Sequence, residues 1–500
     1  MALVDVKRTA ATRKATTVDL PAVFFFAGVI LCAFGGAMLL PALIDLADGN
    51  DDYRVFLTCA AIAGFVGASM ALSFQRARFA MGIREVMLTA PATWLTVAAF
   101  SALPFVFSSV NLSYTDAVFE TMSGLSATGS SVIVALDSAP AGILLWRWLL
   151  IWFGGFGFVT LGVLVLPFLR IGGLQLFVLD LSAQSGKFVP RMIDVVVKIG
   201  LVYVGFTIIG AIAFRLEGMS TFDAMGHAMA AVATGGFSSH DTGLGFFQSP
   251  AIEWTATALM LLCAMPFVLH LEAVRRGPAA LLQDAQVRLF LWIVGVAIAA
   301  LFIWRVAWND APIFEATREA AFNVVSIIST TGFTSTSQDY SLWGGFPSLL
   351  LLVMMMVGGC TGSTAGGIKM FRLCVLLEAL RAQTHRQIFP HGIFIVTYNS
   401  QPVPDPVRAG VSLYAFVYLT TFLVFALALG FSGVPFEASL SGSATALGGV
   451  GPGIGPLIGP CCTFAPLPDV AKWLLTIEML AGRLEILILV IPLTRTFWRT

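Results

Sequence analysis

Four places in this sequence share one chemical plan. An acidic residue followed by Ala opens each, and a segment rich in Thr and Gly closes it. Asp116-Ala117 leads to Ala127-Thr128-Gly129-Ser130, and Asp223-Ala224 leads to Thr234-Gly235-Gly236-Phe237. Glu319-Ala320 leads to Thr330-Thr331-Gly332-Phe333, and Glu437-Ala438 leads to Gly449-Val450-Gly451-Pro452. The acid stands 13, 13, 13 and 14 residues before its glycine, and the glycines at 129, 236, 332 and 451 recur every 96 to 119 residues. Self-similarity at matched offsets marks a repeated structural unit. One Thr-Gly cluster alone reads as a turn ending a helix; four at one spacing read as a site. Glycine lets the backbone take dihedrals that aim carbonyls where a side chain would clash. Four such segments facing one axis form a ring of carbonyls able to replace the hydration shell of a cation. The acids themselves read as helix caps, since a carboxylate is favoured at the positive N-terminus of a helix.

A second candidate lies at 358–367, Gly-Gly-Cys-Thr-Gly-Ser-Thr-Ala-Gly-Gly, inside an apolar run. Each glycine disfavours continuous helix by about 1 kcal/mol relative to Ala. A phosphate loop is excluded, because Gly367-Ile368-Lys369 breaks the Gly-Lys-Ser/Thr order and no strand precedes it. From its residues the segment, with Gly358, Gly359, Gly362, Gly366 and Gly367, reads as a break in the helix or a glycine-lined close helix crossing. Arg483 is the third candidate. An Arg at the centre of a membrane helix costs about 2.5–3.5 kcal/mol on insertion scales, so it must face protein or water. Glu478 and Glu485 stand at poor intrahelical spacings from it. Its partners are expected among the free carbonyls of the 358–367 segment.

These residues need elements to hold them, and composition says which. Of 500 residues 58% are hydrophobic and 11% charged, with a mean hydropathy of +0.89. Soluble domains run near 25% charged, so the chain reads as an all-α polytopic membrane protein. Lys plus Arg and Asp plus Glu both number 28, so no net charge draws nucleic acid. Apolar spans fall near 21–46, 55–74, 86–108, 141–169, 192–214, 251–273, 286–307, 344–380, 408–431 and 470–494. The first is too long for a signal-peptide core and reads as a membrane helix. Basic residues follow the even-numbered spans, among them Arg76, Arg170, Arg275, Lys369, Arg372 and Arg495, with Arg215, Arg305 and Arg318 as exceptions on the other side. The positive-inside rule then places both termini in the cytoplasm.

Each acid-led stretch has about ten helical residues, some 15 Å, half the hydrocarbon core. It can dip in and return but cannot span. Two N-terminal helices are therefore expected to precede four span–re-entrant loop–span units around a pseudo-fourfold axis. The divisions fall at 1–84, 85–190, 191–284, 285–406 and 407–500. An intramembrane enzyme is disfavoured. The five His (227, 240, 270, 385, 391) form no metal-binding pair, and His227 and His240 read as surface or packing residues. The cysteines have no metal or disulfide spacing and read as small buried hydrophobes.

Span–loop–span repeated four times, with Thr-x-Gly-Phe-like segments, resembles the Trk/Ktr/HKT superfamily of potassium transporters. The two extra N-terminal helices and Gly-Val-Gly-Pro-Gly at 449–453 resemble its bacterial TrkH branch. The resemblance implies the ion-translocating subunit of a potassium uptake system in the inner membrane. K⁺ would be the transported ion, with Na⁺ as an open alternative, through a four-loop filter gated by the intramembrane loop and Arg483. It also implies a homodimer and a separate cytoplasmic nucleotide-binding subunit of TrkA type, with no nucleotide bound by this chain. Whether transport is channel-like or a symport is left open. Ser130 in place of Phe and Gly449 in place of Thr depart from the second and third copies. The 171–191 linker is read as a docking surface or an interfacial amphipathic helix.

Overall fold

The computed structural model describes residues 18–75, 82–169, 188–335, 338–460 and 462–498. Most of the 171–191 linker lies outside them. Seven helices are long and apolar enough to cross a membrane, and an eighth span, Pro250–Cys263 with Phe267–Arg276, is bent by 98°. Large apolar side chains face outward along these spans, including Phe65, Leu201 and Leu427 at 75%, 69% and 75% exposure. In water such surfaces would drive aggregation; in lipid they meet a solvent as apolar as themselves. The chain is a multi-pass membrane protein.

An N-terminal hairpin comes first, Leu20–Ala37 continuing into Leu39–Ala47, then Tyr53–Phe74. Two buried acids fasten it to the first of the repeated units. Asp45 accepts from the Gly142 backbone N–H at 2.8 Å, and Asp52 accepts from Ser109 through its N–H and its hydroxyl, the latter at 2.7 Å.

After the hairpin, each acid-led stretch forms a short helix between two longer elements. Tyr114–Leu125 lies between Ile83–Ser101 and Ala141–Leu169. Thr221–Val232 lies between Phe188–Leu216 and the bent pair. Ile313–Ile328 follows Ala285–Asn309 and precedes Gly345–Val357, while Phe436–Gly448 follows Asp405–Phe431 and precedes Asp469–Leu484. We call these short segments pore helices 1 to 4. With 12, 12, 16 and 13 residues they reach roughly 18–24 Å, less than a bilayer core. In pore helices 1 and 2, Ser113 and Ser220 accept from the N–H groups of Asp116 and Asp223, and donate their hydroxyls to the same carboxylates. This reciprocal capping satisfies donors that the helix itself leaves free. The third differs from the expectation: its helix starts a turn earlier, Glu315 takes the first turn, and Glu319 ion-pairs with Arg305 instead of capping.

The spans expected near 251–273, 344–380 and 470–494 are all interrupted, and each is the second long element of its unit. The first bends at Met265-Pro266, where proline has no N–H to continue the ladder. The second opens at Gly358 and resumes at Met370–Ile388. The third ends at Leu484, since Glu485 takes φ +68°, before a short helix at Ile486–Val490. A two-residue hairpin, Thr397–Tyr398 with Gln401–Pro402, sits in the connection between the third and fourth units. The basic exceptions noted in the sequence have partners: Arg318 pairs with Glu253 at 3.1 Å, Arg305 with Glu319, and Arg215 donates to the Met219 carbonyl at 3.3 Å. Cys59, Cys263 and Cys360 are buried, and Cys32, Cys374 and Cys462 are half-buried; Cys461 lies outside the described residues.

Candidate cation site

Each pore helix stops with one residue in the left-handed region: Ala127, Thr234, Thr330 and Gly449, at φ +50°, +52°, +58° and +70°. Such a residue commonly ends a helix. Here it turns the chain sharply into the glycine-containing segment that follows. The glycine two positions later is again left-handed: Gly129, Gly236, Gly332 and Gly451 have φ +88°, +66°, +77° and +111°. The space each leaves is filled by the next segment. A Cβ on Gly129 would lie 2.1 Å from the Gly235 carbonyl oxygen, and one on Gly236 would lie 2.1 Å from that of Thr331. One on Gly332 would lie 1.8 Å from the Val450 oxygen, and one on Gly451 would lie 2.9 Å from the Thr128 oxygen. The contacts run from segment one to two, three, four and back to one. The four segments thus close into a ring, with the seam from four to one the loosest.

Twelve candidate residues line this ring: Ala127, Thr128, Gly129, Thr234, Gly235, Gly236, Thr330, Thr331, Gly332, Gly449, Val450 and Gly451. Among the described residues, only the carbonyl of Gly451 accepts a hydrogen bond, from the Ser130 hydroxyl at 2.7 Å. Buried carbonyls are otherwise almost always paired. Nine of the twelve residues are buried and Gly129, Gly236 and Gly449 are partly exposed; carbonyls left without a donor can complete their bonding by coordinating a cation.

Behind the ring lies a set of residues that the sequence reading did not single out as a group. Glu120, His227 and Asn323 each stand nine residues before their glycine, and Ser441 stands ten before Gly451. Glu120 accepts from Arg147 Nε at 2.7 Å and from the Val132 N–H at 2.8 Å. Arg147 also donates to the Ser238 carbonyl at 2.7 Å and lies 4.0 Å over the Phe237 ring, joining segment one to segment two. His227 Nε2 meets the Ser238 hydroxyl at 2.9 Å. Asn323 donates to Ser335 at 3.1 Å and accepts from Tyr340 at 3.0 Å. Ser441 bonds both the N–H and the carbonyl of Ile454 at 3.0 Å. Four different side chains at one register therefore brace four outgoing strands. Removing one partner of a buried ion pair such as Glu120–Arg147 costs about 3–5 kcal/mol. The available sequence signal was the register itself, polar residues at one offset on four apolar helices. His227 is fully buried, so of the two roles read from sequence only packing applies. His240 contacts Asp137 at the outer end of the site, and its ring nitrogen holds that carboxyl below the usual range.

The glycine-rich segment lies against the end of the ring nearest the C-termini of the short helices. Gly358, Gly362 and Gly367 have positive φ; Gly359 packs against Ala264 and Ala365. The Gly366 N–H donates to the Thr330 hydroxyl at 2.8 Å, and the Thr364 hydroxyl donates to the Val232 carbonyl, the end of pore helix 2, at 3.1 Å. The segment thus touches the ring residues directly, at Thr330. Arg483, 3% exposed, donates through Nη1 to the Thr364 carbonyl at 2.8 Å and stacks 4.1 Å over Phe158. Among the described residues its Nε and Nη2 have no hydrogen-bond partner.

A second charged cluster sits beneath. Lys369 and Arg372, read from sequence as loop charges, are 4% and 2% exposed. They pair with Glu485 at 3.8 and 2.6 Å, and Arg372 stacks 3.6 Å over Tyr414. The left-handed turn at Glu485 points its carboxylate at both cations, which one residue of sequence could not reveal.

A ring of carbonyls, all but that of Gly451 without a donor among the described residues, set among helices long and apolar enough to cross a membrane, suits a polytopic ion-translocating protein. The family model TrkH, described as a cation transport protein, matches residues 53–496, and the chain belongs to that family. It is a membrane cation transport protein, not an enzyme. The Trk system potassium uptake protein TrkI of Halomonas elongata is 39% identical over 463 residues, 92% of this chain and 94% of that protein. The Trk system potassium uptake protein TrkH of Escherichia coli is 33% identical over 479 residues, 94% and 98% of the two chains. The crystal structure of the potassium transporter TrkH from Vibrio parahaemolyticus superposes with a TM-score of 0.89 at 33% identity, covering 96% of this chain and all of that one.

Proposed function

We propose that this chain is the ion-translocating subunit of a potassium uptake system, passing K⁺ through the twelve-residue ring. The observation that carries this reading is the row of ring carbonyls, all but that of Gly451 without a donor among the described residues, which leaves their oxygens free to coordinate a cation. The relatives' names as potassium uptake proteins support the choice of ion. Na⁺ is the second reading, motivated by Ser130 and Gly449 in place of the residues found in segments two and three.

Gating belongs to the 358–367 loop and Arg483 in the same proposal. The loop hydrogen-bonds the inner end of the ring at Thr330, and a fixed positive charge beneath it repels cations. The four units at 85–190, 191–284, 285–406 and 407–500 surround a pseudo-fourfold axis, following the hairpin of 1–84. The placement is the inner membrane with both termini cytoplasmic. The partners are a second copy and a cytoplasmic nucleotide-binding subunit, in keeping with relatives named as members of a system. Rubidium uptake into vesicles carrying the purified chain tests the core of the proposal. Uptake driven by an outward K⁺ gradient and competed by external K⁺ is expected; vesicles no more permeable than empty ones would end it.

A further inference from the structure

We propose that Ser130 is a specificity-determining residue, which lowers the preference of the ring for K⁺ over Na⁺ by engaging the Gly451 carbonyl. The proposal rests on the filter reading above and assigns to Ser130 a specific contact through which it acts on selectivity. Three observations carry it. Among the described residues, the Gly451 oxygen is the single ring carbonyl that accepts a hydrogen bond, and Ser130 Oγ is the donor at 2.7 Å with Ser130 1% exposed. The residue following the ring glycine is Ser130, Phe237, Phe333 or Pro452, and only the first has a hydroxyl. Phe237 lies under Arg147 at 4.0 Å and Phe333 lies 5.8 Å from the His227 ring, so both aromatic side chains pack against side chains of the preceding unit. Ser130 instead donates to a ring carbonyl itself, that of Gly451 in the neighbouring segment. The seam it crosses is also the loosest of the four, 2.9 Å against 1.8–2.1 Å by the space left for a glycine Cβ.

A carbonyl oxygen has two lone pairs, and an O–H donor occupies one and partly neutralises the dipole. The glycine level of the ring then offers three full ligands and one shared ligand. Selectivity rests on the number and field strength of coordinating carbonyl dipoles. The larger ion needs the fuller ligand set, so a ring short of one full ligand separates K⁺ from Na⁺ less well than four equal carbonyls.

Reversal potentials under opposed K⁺ and Na⁺ gradients, in vesicles of the full chain, test this. Ser130→Ala is expected to raise the K⁺/Na⁺ ratio roughly two- to tenfold, the range of one neutral hydrogen bond. Ser130→Thr, which keeps the donor, is expected to retain the native ratio, and Ser130→Cys, a weaker donor of similar size, to fall between. A ratio unchanged or lowered in Ser130→Ala overturns the proposal, as does a Thr variant that moves with it. If the Ala variant does not assemble, the Cys variant decides by the same criterion. Gly332→Ala runs alongside as the control on the filter itself. If it too leaves permeation and ratio untouched, the filter reading fails; if it alters them while Ser130→Ala does not, only the role of Ser130 fails.

Discussion

The ring glycines are not equivalent, and the differences set an order of tolerance. At Gly332 a Cβ would meet a backbone oxygen at 1.8 Å with φ +77°, whereas at Gly451 the nearest oxygen is 2.9 Å away. A non-glycine residue in such a conformation costs of order 1–3 kcal/mol, and at Gly332 a neighbouring segment must move as well. Ala at 332 is therefore expected to depress rubidium uptake more than Ala at 451, with 236 and 129 between. Equal uptake in all four variants at equal expression would contradict the ring. Behind these glycines, Glu120, His227, Asn323 and Ser441 show how one register can be braced by four chemistries. Each outgoing strand needs donors and acceptors at a fixed height, and any side chain that supplies them serves.

The loop at 358–367 is held on several sides: Gly366 bonds Thr330, Thr364 bonds Val232 and Cys263, Thr361 bonds the Gln286 side chain, and the Gly362 carbonyl accepts from the Phe267 N–H. Arg483 adds one more bond, to the Thr364 carbonyl, and its loss removes that bond and a positive charge beside the ring at once. Two unit charges 4 Å apart interact by about 4 kcal/mol at an effective dielectric of 20, and a third of that is roughly tenfold in rate. Arg483→Ala is expected to raise K⁺ flux, and Arg483→Lys, which keeps the charge and one donor, to stay near the native level. Stopped-flow flux in vesicles reads both. A well-expressed Ala variant with native flux would remove Arg483 from the gate. Beneath the loop, Glu485 holds Lys369 and Arg372 where the helix resumes, so the loop is anchored at its exit by a buried charge cluster as well as at its tip.

At the level of the whole molecule, the proposed topology has re-entrant segments that enter and leave on one face and so keep all four units in the same orientation. That face then carries the connections around Asp310 and Phe436, both exposed, and the opposite face those around Arg276 and His391, also exposed. With the proposed orientation, Cys at Asp310 or Phe436 is expected to react with an impermeant maleimide in intact cells. Cys at Arg276 or His391 is expected to react only after the cells are opened. Labelling of all four in intact cells, or of Arg276 and His391 alone, would overturn the topology.

Much of this was legible in the residues themselves. Charge scarcity fixed the membrane as the solvent, four matched acid-to-glycine spacings marked the re-entrant units, and the cost of Arg483 required a polar partner, which proved to be in the glycine-rich loop. Those are local or periodic properties, and one chain carries them without knowing its neighbours. Other features depended on contacts between distant segments. That Lys369 and Arg372 are buried was invisible because their partner lies over a hundred residues away and is aimed by a single left-handed turn at Glu485. The earlier start of pore helix 3 turned on Glu315, one helical turn ahead of the repeated acid. The Ser130–Gly451 bond and the closing of the ring join residues 321 apart in the chain. Hydrophobic pattern and spacing decide which segments enter the membrane; only packing decides which carbonyls then find a donor and which are left for an ion.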